Sequence, residues 1–339
     1  MGGKIRLGFI GTGRRARDHM KVARQMEEVS MEAACDVDEG RLWEVKQEFG
    51  VRVYRSPEEM LSKERLDAAV ISTPVPLHVP QTLLCLRAGV NVLMEKPISL
   101  DVREAVSLMR EVKRAREIVA VGFQNRYSDT VERAKVEVDE KSLSMLVGHW
   151  YWTVPPIPWI RVRIQAGGQV VEQVVHMIDL FRFFGGEVET VYASYTERGR
   201  DWEEDKRMGF DNWASYALTL KFRSGAVGSV SSTYALYQEL YREIPSITMD
   251  LICREKLIRF LGFGEIRVYT RGKQWEAHKS TSNSMERMWR SFVTAVSTGD
   301  RSALPTRYED AFWSTAVSLA ANESALTGRP VNVQDFTGL

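Results

Sequence analysis

The chain has 339 residues, 44% of them hydrophobic and 27% charged, with a formal net charge of +1. That length exceeds one comfortable hydrophobic core and is enough for two domains. The near-neutral balance gives no electrostatic reason to expect nucleic acid or an anionic membrane as partner.

The first 123 residues alternate strand and helix signals. Ile5–Ile10 reads as a strand that runs into Gly11-Thr12-Gly13-Arg14-Arg15-Ala16, a glycine turn followed at once by helical sequence. That order suits a pyrophosphate. Gly11 permits the turn, Gly13 leaves room for the phosphates, Ala16 lets the helix pack on the strand, and the helix amides face the anion. A second apolar segment, Val29–Cys35, ends at Asp36. An acid there would accept from the adenosine ribose hydroxyls and repel a 2′-phosphate, favouring NAD over NADP. Short apolar segments recur at Val51–Tyr54, Ala68–Ser72, Asn91–Met94 and Val119–Phe123. Ser56-Pro57-Glu58-Glu59 starts one intervening helix and Gly89 ends another. The expectation is an α/β fold with a doubly wound parallel sheet, whose ligands bind at the carboxyl ends of the strands.

Two loops at such ends carry chemistry. Ser72, Thr73 and Pro74 shape a rigid loop where the nicotinamide half of a dinucleotide would run, and His78 either bonds the cofactor ribose or begins the next helix. Glu95-Lys96-Pro97 stops a strand, because proline cannot continue the sheet, and holds Lys96 at the rim. A lysine there can bind a substrate hydroxyl and steady developing negative charge; the alternative is a solvated lysine paired with Glu95. Arg126 and Tyr127, after the sixth segment, suit a ligand or a domain interface equally.

From about residue 145 to 270 the strands lose their intervening helices: Met145–Val154, Val188–Glu197, Trp213–Phe222, Ala226–Tyr234, Ser246–Cys253 and Ile266–Thr270. This predicts a second, α+β domain with an open, mainly antiparallel sheet, and Ser224-Gly225 a hairpin turn within it. One largely apolar helix, about Gly168 to Phe184, interrupts the run. Glu172, His176 and Asp179 lie on it at i, i+4 and i+7, one stripe of an α-helix. Burying them is costly unless they are paired or used. Such a stripe is a satisfied internal cluster, a metal pair or a proton-transfer group, and the imidazole favours the last. No further His or Cys group lies nearby, so no metal is expected. Trp150, Tyr151, Trp152, Trp159, Arg161 and Arg163 lie around Pro155, Pro156 and Pro158 and fit a polyhydroxylated or anionic ligand, or a domain interface. Thr306 and Glu309 have capping-box spacing at the start of a final helix that Gly328 closes. Cys35, Cys85 and Cys253 sit in apolar runs without CxxC spacing and read as reduced thiols of a cytoplasmic protein. No secretory signal or membrane-spanning run is read.

Taken in order, these motifs resemble the glucose–fructose oxidoreductase, inositol dehydrogenase and MocA (Gfo/Idh/MocA) family of NAD(P)-dependent oxidoreductases. The resemblance is carried by Gly11-x-Gly13-x-x-Ala16 with His19, Thr73-Pro74 with His78, Glu95-Lys96-Pro97, Val121-Gly122-Phe123-Gln124-Asn125-Arg126 and Gly167-Gly168 before His176 and Asp179. Leu304-Pro305-Thr306 and the segment from Ala320 to Ser324 extend it through the tail. It implies a Rossmann domain over residues 1–123 and a substrate and oligomerisation domain over 124–339, with a C-terminal helix packing back on the first. It also implies a homodimer or homotetramer through the free sheet face. The implied activity interconverts a secondary alcohol or lactol and a carbonyl on a sugar, inositol or related polyol. Lys96 and His176 fall on the family's catalytic positions, with Glu172 where the family usually has Asp. By the same token Gly11, Thr12, Gly13, Arg14, Arg15, Asp36, Ser72, Thr73, Pro74, His78, Glu95 and Lys96 would hold the cofactor. Lys96, Arg126, Trp159, Arg163, Glu172, His176 and Asp179 would hold the substrate. The rivals are an NAD-retaining glycosidase or internal hydride-exchange enzyme of the same fold, and a non-enzymatic dinucleotide-sensing regulator.

Overall fold

The structure is a computed structural model that describes residues 3–339. Its first sheet contains β1 Ile5–Ile10, β2 Val29–Cys35, β3 Arg52–Tyr54, β4 Ala68–Ile71, β5 Asn91–Met94 and β6 Val119–Val121. All run parallel in the order β3-β2-β1-β4-β5-β6, so the strand order reverses between β1 and β4. This is the dinucleotide-binding order, whose crevice opens beyond the carboxyl ends at the reversal. Crossover helices cover the sheet at Arg14–Ala23, Glu39–Phe49, Pro57–Lys63, His78–Arg87 and Val102–Arg114. Their starts follow local rules: the side chains of Asp38, Ser56 and Asp101 accept from the backbone amides of Arg41, Glu59 and Arg103.

The chain divides into two compact units. One runs to Tyr127 and is joined by Asn283–Phe312; the other comprises Ser128–Ser282 and Trp313–Leu339. The division differs from the contiguous stretches 1–123 and 124–339 expected from sequence, because a piece from near the end of the chain belongs with the first sheet. Met288, Trp289 and Phe292, on the helix Ser284–Thr298, are buried in one core with Leu7, Phe9, Met20 and Val70. Beside them the carbonyl of Thr306 accepts from Val121 N at 3.0 Å, bracing β6. The expected capping box at Thr306 gives way to this role. Its hydroxyl is bonded to the Tyr127 hydroxyl at 2.8 Å, and the helix starts at Tyr308.

The second unit holds nine strands: β7 Met145–Tyr151, β8 Val188–Thr196, β9 Ser215–Phe222, β10 Val227–Thr233, β11 Ile247–Ile252, β12 Lys256–Leu261, β13 Glu265–Thr270, β14 Glu276–Lys279 and β15 Val331–Asn332. Their order is β14-β13-β12-β11-β7-β10-β9-β8-β15, with β7 and β10 parallel and the other neighbours antiparallel. The expected hairpin joins β9 to β10 through Ser224-Gly225. Three strands were not expected. β12 turns Ile258 and Phe260 inward, β14 is a polar edge strand, and β15 has two residues. In β9, Tyr216, Leu218, Leu220 and Phe222 are buried while Ala217, Thr219 and Lys221 are exposed, so the sheet is covered on one face and open on the other. The helix expected over Gly168–Phe184 lies on the covered face. Gly148 of β7 lets it approach: a Cβ there would stand 2.3 Å from Met177 Sδ.

The returning helix is a structural part of the first unit, so Phe292→Ala should destabilise it by about 3–5 kcal/mol, the usual cost of emptying a buried aromatic site. Chemical denaturation followed by fluorescence measures this, and a loss below about 1 kcal/mol would detach that helix from the core.

Candidate active site

The turn after β1 has the form its glycines suggest. Gly11 has φ of 88°, and a Cβ on it would stand 2.8 Å from the Ser72 carbonyl oxygen, so both backbone conformation and space demand glycine. At Gly13 the argument is different, because a Cβ there would meet nothing within 4 Å. Its missing side chain keeps space open beyond the chain. The helix Arg14–Ala23 that follows has no side-chain cap and no acid in its first turn. Its leading amides are therefore left for an anion. Beside them is a cleft of about 330 Å³ whose lining includes Thr12, Gly13, Arg14, Lys21 and Arg41. Arg17 also lines it but is ion-paired with Glu44 and Glu48.

Asp36 stands at the end of β2 as expected and does more than await a ribose. Its Oδ2 accepts from Thr12 N at 2.7 Å and from Thr12 Oγ1 at 2.9 Å, while Oδ1 accepts from Asp38 N at 3.0 Å. The acid thus ties β2 to the phosphate turn.

Across the reversal, Ser72 follows β4, and its hydroxyl is buried with no partner among the described residues. Thr73 Oγ1 donates to Gln81 Oε1 at 2.6 Å, and Pro74 precedes a short 3-10 turn, Val75–Leu77. His78 takes the second of its two expected roles. It begins the helix His78–Arg87, and its buried ring lies between two backbone carbonyls, with Pro97 O 2.8 Å from Nδ1 and Thr73 O 2.9 Å from Nε2. Burial lowers its pKa against the pull of those carbonyls. The ring cross-braces the loops after β4 and β5, and no nitrogen is left over for a ribose.

Glu95, at the end of β5, is buried. Its Oε1 receives Arg15 Nε at 2.7 Å and His19 Nε2 at 2.9 Å, and its Oε2 receives the Lys96 amide at 3.3 Å. Burial alone would raise this carboxyl, but Arg15, His19 and Lys96 outweigh it and hold the group well below the usual carboxylate range. Arg15, expected on the cofactor, is therefore engaged with Glu95 and with Gln124 Oε1. Arg126, expected on the substrate, is buried in the first unit, where it pairs with Asp310 and donates to Pro305 O at 3.2 Å. It is a strut for the returning tail.

In the second unit the expected helix comes in two pieces, a π-helical turn Val170–Val174 and an α-helix Val175–Gly185. The wider turn breaks the stripe assumed for an α-helix. Glu172, inside the π-turn, is 8% exposed and His176, just after it, 9%, whereas Asp179 is 1% exposed. Asp179 accepts from Ser314 Oγ at 2.7 Å, and that hydroxyl in turn receives Arg182 at 2.7 Å. It belongs to a buried structural network. The His176 ring lies nearly parallel to Trp150, at 19° and 6.4 Å between centroids. Arg163 stacks on Trp213 at 4.3 Å and pairs with Glu197, while Trp159 is half-buried in the 3-10 turn Pro158–Arg161. No local pattern singles out Trp289, and His19 stands out only through the family resemblance. The former lies 270 positions from its partner, a distance no local pattern spans.

Comparison with known proteins decides the family. The model described as "Oxidoreductase family, NAD-binding Rossmann fold" matches residues 5–123, and the GFO/IDH/MocA C-terminal domain matches residues 142–255. The chain belongs to the Gfo/Idh/MocA family. It is similar to myo-inositol 2-dehydrogenase of Thermotoga maritima, at 27% identity over 240 residues covering 68% of each chain. It is also similar to D-apiose dehydrogenase of Paraburkholderia graminis, at 25% identity over 84% of this chain and 80% of the relative. An Agrobacterium radiobacter oxidoreductase solved with NAD+, L-tartaric acid and magnesium shares the fold, with TM-score 0.84 at 19% identity over 98% and 99% of the two chains. The Gfo/Idh/MocA assignment makes this chain an NAD-binding oxidoreductase. Its own residues fit that cofactor: open space at Gly13, an uncapped helix start, an acid at Asp36 and the unpartnered Ser72 hydroxyl. Among the described residues no helix is long and apolar enough to cross a membrane.

If Asp36 both selects against a 2′-phosphate and braces the turn, the protein binds NAD more tightly than NADP. Asp36→Asn should then weaken NAD and narrow the NAD to NADP ratio of dissociation constants by about tenfold, a 1.4 kcal/mol change. Titration by cofactor fluorescence reads both, and tighter NADP binding by the unmodified protein would contradict the assignment.

Proposed function

We propose that the protein oxidises a secondary alcohol of an inositol-like or sugar polyol to the carbonyl, reversibly, with Lys96 and His176 as its catalytic pair. NAD, when bound, supplies the hydride acceptor. His176 takes the hydroxyl proton on oxidation and returns it on reduction. The Lys96 ammonium donates to the same oxygen and steadies the negative charge that builds on it. Glu172, four residues before His176, supplies a carboxylate to the substrate side of the helix. The observation that carries the reading is the placement of Lys96. It follows a strand of a dinucleotide-binding sheet, on the edge fixed by Glu95 and His78. The relatives named as inositol and apiose dehydrogenases support the polyol class. Cytoplasmic location goes with it, as does a homodimer or homotetramer in which the open face of the nine-stranded sheet meets a second copy. That face carries Ala217 and Thr219 on β9 and Ser229 on β10.

The roles of Arg126 and Asp179 are supportive, since both side chains are committed to buried networks. Arg163 and Trp159 remain substrate contacts of the second unit in this reading.

A panel of inositols, aldoses and polyols followed at the NADH absorbance tests the activity. His176→Ala should lower turnover by roughly 10²–10⁴-fold, the range for a lost acid or base, with NAD affinity nearly unchanged. Unchanged turnover would remove His176 from the mechanism. Copurified cofactor without net NADH formation would favour the NAD-retaining rival.

A further inference from the structure

Beneath Lys96 lies a hydrogen-bond chain whose direction is fixed at its far end. Trp289 is wholly buried, and its indole Nε1–H donates to His19 Nδ1 at 3.0 Å. Indole nitrogen is a donor only. His19 Nδ1 must therefore accept, and the neutral ring carries its proton on Nε2. That nitrogen stands 2.9 Å from Glu95 Oε1 and donates to it. In the other tautomer, Nδ1–H would face the indole N–H and the Nε2 lone pair would face a carboxylate, two repulsive contacts in a site closed to water. Arg15 completes the coordination of Oε1, and Gly122 backs the carboxylate, a Cβ there coming within 3.1 Å of it. The charged and titratable groups facing Glu95 are thus Arg15, His19 and Lys96, with His78 beyond them.

We propose that Trp289 is a positioning residue for the nicotinamide edge: its N–H sets the His19 tautomer, and that tautomer holds the Glu95 carboxylate in register beside Lys96. The inference deepens the proposed function and rests on the reading that Lys96 serves the reaction. Two arms separate them. In the ligand-free protein, ¹⁵N-histidine NMR should show His19 protonated at Nε2, with Nδ1 an unprotonated acceptor. Trp289→Phe, which keeps the ring and loses the donor, should disturb that signature. In the kinetic arm, Trp289→Phe and His19→Leu should lower kcat/KM at least about tenfold, the scale on which supporting partners act. His19→Gln should retain more activity than His19→Leu, since its amide can accept from Trp289 and donate to Glu95. Nδ1 protonated in the unmodified protein, or His19→Gln no better than His19→Leu, would overturn the proposal. So would a folded Trp289→Phe with unaltered His19 signals and kinetics. If the unmodified protein oxidises no polyol, the NMR arm still decides the tautomer, and the failure belongs to the functional reading.

Discussion

One ionised carboxylate, buried at the end of β5, is the constraint around which the first unit is built. A charge taken out of water is tolerated only where it is paired and its lone pairs are filled. Glu95 meets both conditions with Arg15 and His19 from the first crossover helix, the amide of Lys96, and the space left by Gly122 at the end of β6. Three segments of chain are thereby pinned to one point: the helix that follows the phosphate turn, the loop after β5, and the end of β6. The indole of Trp289 adds a fourth from near the end of the chain. The loop that carries Lys96 is tied to that charge through its own backbone amide.

The same logic accounts for neighbouring groups that were expected on ligands and are found on the protein. Arg15 is drawn to Glu95, His78 to two carbonyls, Arg126 to Asp310 and Pro305 O, and Asp36 partly to Thr12. These residues build the walls and the turn. They leave open the amides ahead of Arg14, the space at Gly13 and the outer part of Asp36. In the second unit Asp179 is likewise absorbed into structure through Ser314, leaving Glu172 and His176 at the margin of the buried helix.

Much of this was legible in the sequence, for reasons that are local. The parallel sheet could be read because its strands are short, apolar and separated by helices with readable caps, as at Ser56 and Gly89. Gly11 and Asp36 could be read because a fixed turn and a fixed strand end dictate those types. What could not be read depended on partners distant in sequence. Nothing near Trp289 tells that it reaches His19, and nothing near Thr306 tells that its hydroxyl meets Tyr127 instead of capping a helix. The π-turn at Val170–Val174 was also hidden, since a run of valines around Glu172 fits an α-helix equally well by pattern. Edge strands β14 and β15 escaped because polar or two-residue strands carry no alternation to detect.

The central claim is that Glu95 is a carboxylate held ionised inside the protein. A group whose pKa is depressed on folding stabilises the fold at pH values above its unfolded pKa and loses that contribution as pH falls through the folded value. Glu95 should therefore support the fold in full above the point, near pH 4.3, where an unfolded glutamate takes up its proton, and lose that support as the pH falls further towards its own depressed value. The most direct measurement is ¹³C NMR of the Glu95 side-chain carboxyl during acid titration of the folded protein. The account predicts a carboxylate shift that stays flat while exposed acids titrate. A shift that moves with a midpoint in or above the ordinary carboxylate range would contradict it.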